Sequence, residues 1–242
     1  MDMRLAIKPL LVTGLAVALS ACGGGGGANL VTPPTTVLAA YEVSVVNLTN
    51  NQPLSPVALI GHDGAFSVFS VGNPVSVAFE VLAEGGDNTD YLAEVEADPS
   101  VIATVSGSGP IGPGATETLT IQVLEEQLAS LSLSVATMLV NTNDAFTGIN
   151  RIDVSAMAVG DSETLRAIAY DAGTEADTEA AGTIPGPAVG GEGFNADRDD
   201  EADRVTMHAG VVSNETGLAT SVLSSQERFD NPVVQISISR TQ

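Results

Sequence analysis

Cysteine occurs once in this chain and tryptophan not at all; aromatics make up 4% and there are two histidines. One cysteine excludes an intrachain disulfide, so a buried core or a bound ion must supply the stability. So few histidines leave few general bases or nucleophile activators. No Gly-x-Ser-x-Gly elbow, phosphate loop or His-Glu-x-x-His motif is present. Positive charge is just as scarce: 8 Lys and Arg stand against 30 Asp and Glu, a net charge of -22 at pH 7. The sole lysine is Lys8, so beyond residue 21 six arginines face 29 acidic residues. A surface this negative repels nucleic acid and anionic lipid headgroups and favours cations.

The lone cysteine has a telling position. Arg4 and Lys8 precede an apolar run from Pro9 to Ala21 that is too short for a permanent membrane span and reads as a signal peptide over 1–21. It ends Leu19-Ser20-Ala21-Cys22, a sequence similar to the cleavage box of bacterial lipoproteins. That resemblance makes Cys22 the first mature residue and the lipid attachment site, tying the chain to a membrane of the bacterial cell envelope. The Gly23–Gly27 run and Thr32-Pro33-Pro34-Thr35-Thr36 then read as a flexible tether over 22–40.

About two hundred residues remain, enough for one well-buried core over 41–242. Their dominant period is two. Strands are predicted at Tyr41–Thr49, Val57–Ile60, Ile102–Ser106, Glu117–Val123, Leu131–Val140, Ile149–Met157, Thr164–Tyr170, Arg204–Ala209 and Val233–Ser239. Between Val75 and Glu96 the spacing turns helical, and Gly85-Gly86 stops a first short helix. Asp87-Asn88-Thr89 can cap a second over Asp90–Ala97. The expected architecture is all-β, an antiparallel two-sheet β-sandwich with short inserted helices capping one edge. Residues 176–203, rich in Pro, Gly and acid, are predicted to be a long and mostly disordered loop.

The most informative stretch runs from Leu139 to Glu179. Two apolar strands run out into carboxylate-bearing loops, Asn141-Thr142-Asn143-Asp144 and Asp171-Ala172-Gly173-Thr174-Glu175. Carboxylates brought side by side repel unless something positive lies between them. With no lysine here, a hard divalent cation with oxygen ligands fits, Ca²⁺ before Mg²⁺. Two solvated turns built from ordinary turn residues are the alternative. The stretch is not an EF-hand: counted from Asn141, its sixth residue is Phe146 and its twelfth Ile152.

Four phrases carry a family resemblance: Asn47–Pro56, Thr142–Gly148, Tyr170–Glu175 and Val205–Gly210, with the strand start Asn231-Pro232-Val233 in agreement. In this order they resemble the spondin N-terminal domain. The resemblance implies a β-sandwich similar to calcium-dependent lipid-binding domains, with Ca²⁺ at one end held by Asp144, Asp171 and Glu175. Animal members usually carry Asp at the last position, so Glu175 is a departure, and they use disulfides that this chain lacks. Asp153, Asp177 and Glu179 are the nearest substitutes should one ligand differ.

The expected function is that of a surface-anchored, Ca²⁺-binding adhesion module of the bacterial envelope, not an enzyme. Its partner would be an extracellular protein or glycan, with no nucleic acid. A purely structural envelope or matrix domain is the first alternative. A hydrolase using His62 and His208 is the second, and it requires the two rings to meet in space. The triplets Asn47-Leu48-Thr49 and Asn214-Glu215-Thr216 match a glycosylation acceptor by accident.

Overall fold

The structure, a computed structural model, describes residues 37–198 and 202–242. The signal peptide, Cys22 and nearly all of the tether lie outside the described residues. The first strand, β1 (Leu38–Asn47), begins three residues before the expected Tyr41, because Ala39 and Ala40 still pair with the neighbouring strand.

Two antiparallel sheets form the body. The four-stranded sheet has the order β4-β1-β10-β7, where β4 is Thr116–Leu124, β10 is Val234–Arg240 and β7 is Ser162–Ala167. The six-stranded sheet runs β3-β2-β5-β6-β8-β9, with β2 at Ala58–His62, β3 at Val101–Ser106 and β5 at Ser132–Met138. Its other members are β6 (Ala145–Asp153), β8 (Ala169–Asp171) and β9 (Thr206–Met207). The all-β two-sheet sandwich expected from the period-two patterning is the fold observed.

Between the sheets lies the main core. Tyr41, Val43 and Val45 of β1, Ile121 of β4 and Ile236 of β10 pack with Leu59, Leu133 and Val135 of the other sheet, all 0% exposed. Alternation puts these residues on the inner face while Glu42 and Ser44 face out, as period two demands. The Tyr41 hydroxyl donates to the Val154 carbonyl at 3.2 Å, so the largest core side chain hides no unmet polar group.

The helices are placed differently from expectation. Helices α1 (Val77–Gly85) and α2 (Thr89–Val95) do not cap an edge; they cover the outer face of the six-stranded sheet. Phe79, Leu82, Tyr91 and Val95 pack there on Ile60, Ala136 and Phe146. This third layer explains why β2 and β5 are buried at every residue, the polar ones included. Ser76 caps α1 through the Phe79 amide, and Gly86 ends it in the left-handed conformation, φ 74°.

Two strand boundaries moved for physical reasons. The predicted strand Thr164–Tyr170 is two strands, since the chain leaves the four-stranded sheet after Ala167 and joins the six-stranded one at Ala169. Strand β6 starts at Ala145, not Ile149, because the Ala-Phe-Thr-Gly of the family phrase pairs with β5 and β8 at once. The described parts of the long loop, 176–198 and 202–203, hold no strand or helix but are tied down. Ile184 is buried, and the Ala188 amide donates to Asn141 Oδ1 at 3.0 Å.

The first family phrase is scaffold. Asn47 Nδ2 donates to the carbonyls of Gln52 and Ile111; Gln52 Nε2 donates to those of Asn141 and Glu227. Gln52 Oε1 in turn accepts from the Asn141 amide at 3.0 Å. Fully buried amides can span loop carbonyls this way because each offers two donors and an acceptor. Asn47 is 0% exposed, which rules it out as a glycan acceptor.

Candidate metal centre

The register brings the two carboxylate loops together. Ala145 of β6 stands opposite Asp171 of β8, so Asp144 lies one residue beyond the pair, at the same end of the sheet. Asp144 is 0% exposed, and its Oδ2 accepts from the amides of Thr174 (2.8 Å) and Glu175 (3.1 Å). It thus draws the turn after β8 onto the end of β6. Gly173, at φ 73°, lets that turn close: a side chain there would run into the Arg204 backbone.

The other oxygen, Asp144 Oδ1, is buried and has no hydrogen-bond partner among the described residues. Burial, and after it the charge of Asp171, pushes the Asp144 pKa up from 3.8 to about 7. Asp171 rises as well, by burial first and then by the charge of Asp177. One Asp171 oxygen accepts from the Gly173 amide at 2.7 Å, which fixes the carboxylate's direction.

Asp171, Asp177 and His208 form the tightest cluster, with a ligand-capable atom of each lying within 4.8 Å of the others. His208 Nε2 faces Asp177 Oδ1 at 3.4 Å, an ion-pair distance, and makes no hydrogen bond among the described residues. Burial works against a charged His208, but Asp177, Asp171 and Asp144 outweigh it and the pKa is raised.

Glu175 sits apart from this group. Its Oε1 accepts from Asn143 Nδ2 at 2.9 Å and meets Arg198 Nε at 3.3 Å. Arg198 also reaches Glu84 of α1, 3.8 Å away, and the loop carbonyl of Gly193. Burial raises the Glu175 pKa to about 7. Of the residues named as substitutes, Asp177 joins the cluster. Glu179 does not: its carboxylate binds the Val212 amide and the Ser221 hydroxyl. Asp153 lies at the far end of β6, where it accepts from the Ser155 amide. Asp199, Asp200 and Glu201 lie outside the described residues.

The paired-histidine reading fails on topology. His62 ends β2 and His208 follows β9, with β5, β6 and β8 between them. His62 is 0% exposed; its Nε2 is 2.9 Å from Ser134 Oγ and its Nδ1 accepts from the Gly64 amide. Burial pushes its pKa down. It is a neutral ring that pins a turn.

With this geometry established, the comparison with protein families is decisive: the family model Spondin_N matches residues 48–183. The chain belongs to the spondin N-terminal domain family. Spondin N-terminal domains are extracellular binding or structural modules, not a family of enzymes. The matched span holds Asp144, Asp171, Glu175 and Asp177 but ends before His208. No curated protein matches the chain.

The residues present suit the Ca²⁺ that the spondin resemblance implies. A buried, unpartnered carboxylate oxygen that feels two further carboxylates is a donor set for a hard cation. The sequence offers Asp177 only as a substitute ligand, and the His208 contact is not legible in it. Asp177 lies in a stretch with no pattern of its own, and only the fold of the Gly173 turn brings it back beside Asp171.

Proposed function

We propose that this spondin domain is a surface-anchored binding module of a bacterial cell envelope, with a divalent cation, Ca²⁺ first, setting the loops at one end of its sandwich. The observation that carries the reading is Asp144 Oδ1, buried without a partner where the charges of Asp171 and Asp177 are felt. Asp144, Asp171 and Asp177 would hold the ion, backbone carbonyls and water supplying the other oxygens. Glu175 keeps its Oε1 on Asn143 and Arg198, while its Oε2 is buried without a hydrogen-bond partner among the described residues and is the oxygen it would offer the ion. The ion's part is neutralisation, which lets charged loops pack and present a fixed surface.

Apolar side chains flank this end. Met207 lies between the register partner of Asp171 and His208, and is 65% exposed. Val71, 63% exposed, rides on a loop tied to the same edge by the Gly72 amide on the Val205 carbonyl at 2.8 Å. Exposed apolar residues beside an ordered polar site suit a protein or glycan contact better than an anionic membrane, given the net charge of -22.

Asp171→Asn is the direct test of the ion. Calorimetry on the full chain should show Ca²⁺ binding to the wild type. In the variant it should weaken by more than the about 10–100-fold that loss of a supporting group costs. Capture of envelope proteins or glycans with and without Ca²⁺ then tests the module. A wild type that takes up no Ca²⁺ returns the loops to ordinary turns.

A purely structural role is the second reading, favoured by the bonds that already join these loops: Asp144 to 174–175, and Glu179 to Val212 and Ser221. It predicts that Asp171→Asn lowers stability while partner capture, in folded protein, is unchanged.

The anchor rests on the Leu19-Ser20-Ala21-Cys22 sequence. Cys22→Ser should leave the precursor unprocessed or release the protein from the membrane fraction. Normal processing and retention of that variant would remove the lipid from the reading.

A further inference from the structure

We propose that His208 is a positioning residue, not a ligand: it donates its Nε2 proton to Asp177 and leaves the cation an all-oxygen site. The inference rests on the cation reading above and adds which ions the site accepts. By proximity alone Asp171, Asp177 and His208 look like a mixed nitrogen–oxygen centre suited to Zn²⁺. The wiring of the ring says otherwise.

His208 is 5% exposed, so its two nitrogens must be satisfied by protein or ion, not by bulk water. Nδ1 lies 2.8 Å from the Gly210 backbone nitrogen, a group that can only donate. Nδ1 is therefore the acceptor, and in the neutral ring the proton sits on Nε2. The acceptor that faces Nε2 is Asp177 Oδ1, 3.4 Å away, a contact that is not yet a formed hydrogen bond in this structure. A metal-bound histidine is wired the other way round. Its coordinating nitrogen is bare, and the second nitrogen donates its proton to a carbonyl or carboxylate.

For Nε2 to bind an ion, the proton would have to move to Nδ1. Two N–H groups, those of the ring and of Gly210, would then oppose each other across 2.8 Å in a buried place. Turning the Gly210 amide away would forfeit its hydrogen bond to the ring. The same device occurs a second time. In His62-Asp63-Gly64, Nδ1 accepts from the Gly64 amide at 3.1 Å, Gly64 has φ 84°, and Nε2 is left to meet Ser134 Oγ. A His-x-Gly turn thus fixes the tautomer in both places. At residue 62 the Nε2 proton serves the fold; at residue 208 it serves a carboxylate.

Selectivity follows. Ca²⁺ loses nothing by the arrangement, since it takes oxygen donors. Zn²⁺ loses the imidazole nitrogen that would favour it.

The test is carried out on the full chain with ¹⁵N-labelled histidine, using long-range proton–nitrogen spectra in ion-free buffer, then with CaCl₂, then with ZnCl₂. His208 should carry its proton on Nε2 throughout. His208→Asn keeps an acceptor for the Gly210 amide but removes the Nε2 donor. It should stay folded by circular dichroism and bind Ca²⁺ about 10–100-fold more weakly by calorimetry. His208→Gln, whose amide nitrogen reaches the Nε2 position, should recover part of that loss, and it stands in if the Asn variant fails to fold. A proton found on Nδ1 once either ion is bound overturns the proposal, as does a folded His208→Asn variant with wild-type Ca²⁺ affinity. A wild type that binds no Ca²⁺ overturns the cation reading and this one together.

Discussion

Gly148→Ala is expected to destabilise the domain by about 4 kcal/mol or more, enough to threaten folding. Gly148 lies in β6 opposite Ala136 of β5. A Cβ there would sit 2.8 Å from the Val135 carbonyl carbon, nearer still to its oxygen, and 3.1 Å from Ala136 Cα. These are backbone atoms, so no rotamer change can make room. Nor can β5 move aside: all seven of its residues are buried, between the second sheet on one face and α1 on the other. Ordinary overpacking costs about 1–3 kcal/mol because side chains yield; here a ladder of hydrogen bonds would have to open. The measurement is the denaturant midpoint at unchanged slope. Gly109→Ala is the control, since a Cβ there meets nothing within 4 Å, and it should stay within about 0.5 kcal/mol of wild type. A Gly148→Ala midpoint as mild as the control's would mean that β5 and β6 do not approach so closely.

Where the sequence was legible, one local pattern decided the outcome. Tyr41, Val43 and Val45 alternate with polar neighbours and are the inner face of β1. Gly86 marks the end of α1 by chemistry that needs no distant partner. Other features depend on contacts that no window contains. Residues 162–171 keep one apolar rhythm, yet belong to two sheets, because the step at Ile168 changes the layer without changing the period. That α1 and α2 cover a sheet face follows from which face of β5 was left unburied by the other sheet, a global property.

The site divides the same way. Asp144 and Asp171 could be read as neighbours, since each stands where a strand runs out into a turn. Whether Glu175 or Asp177 turns toward them depends on Arg198, itself paired with Glu84 of α1 and distant in sequence, which draws Glu175 to the other side. The role of His208 hangs on the φ of Gly210, which composition does not show.

In ion-free buffer the stability of the domain should fall as pH rises from about 4 to 8, and Ca²⁺ should oppose that fall. The Asp144 pKa is raised from 3.8 to about 7 by burial and by Asp171; the Glu175 pKa is raised from 4.5 to about 7, chiefly by burial. Between the ordinary and the raised values, the folded chain holds protons that the unfolded chain has released. Stability therefore declines with pH across that window: it is fully present below the unfolded values and lost on passing through about 7. Ca²⁺ requires the ionised carboxylates, so protons compete with it and its dissociation constant should drop as pH rises. At a hundredfold excess over that constant it adds about 2.7 kcal/mol. The Ca²⁺ increment in melting temperature should accordingly be small at pH 5 and largest at pH 8. General repulsion within a chain of net charge -22 would also grow with pH, but salt screens it, whereas the buried cluster is screened little. Asp144→Asn separates the two in 0.5 M NaCl. The variant should lose much of the pH slope without ion and gain little from Ca²⁺ at pH 8, while the wild type keeps both responses. Equal slopes and equal Ca²⁺ increments in the two proteins would place the origin of both effects elsewhere than at Asp144.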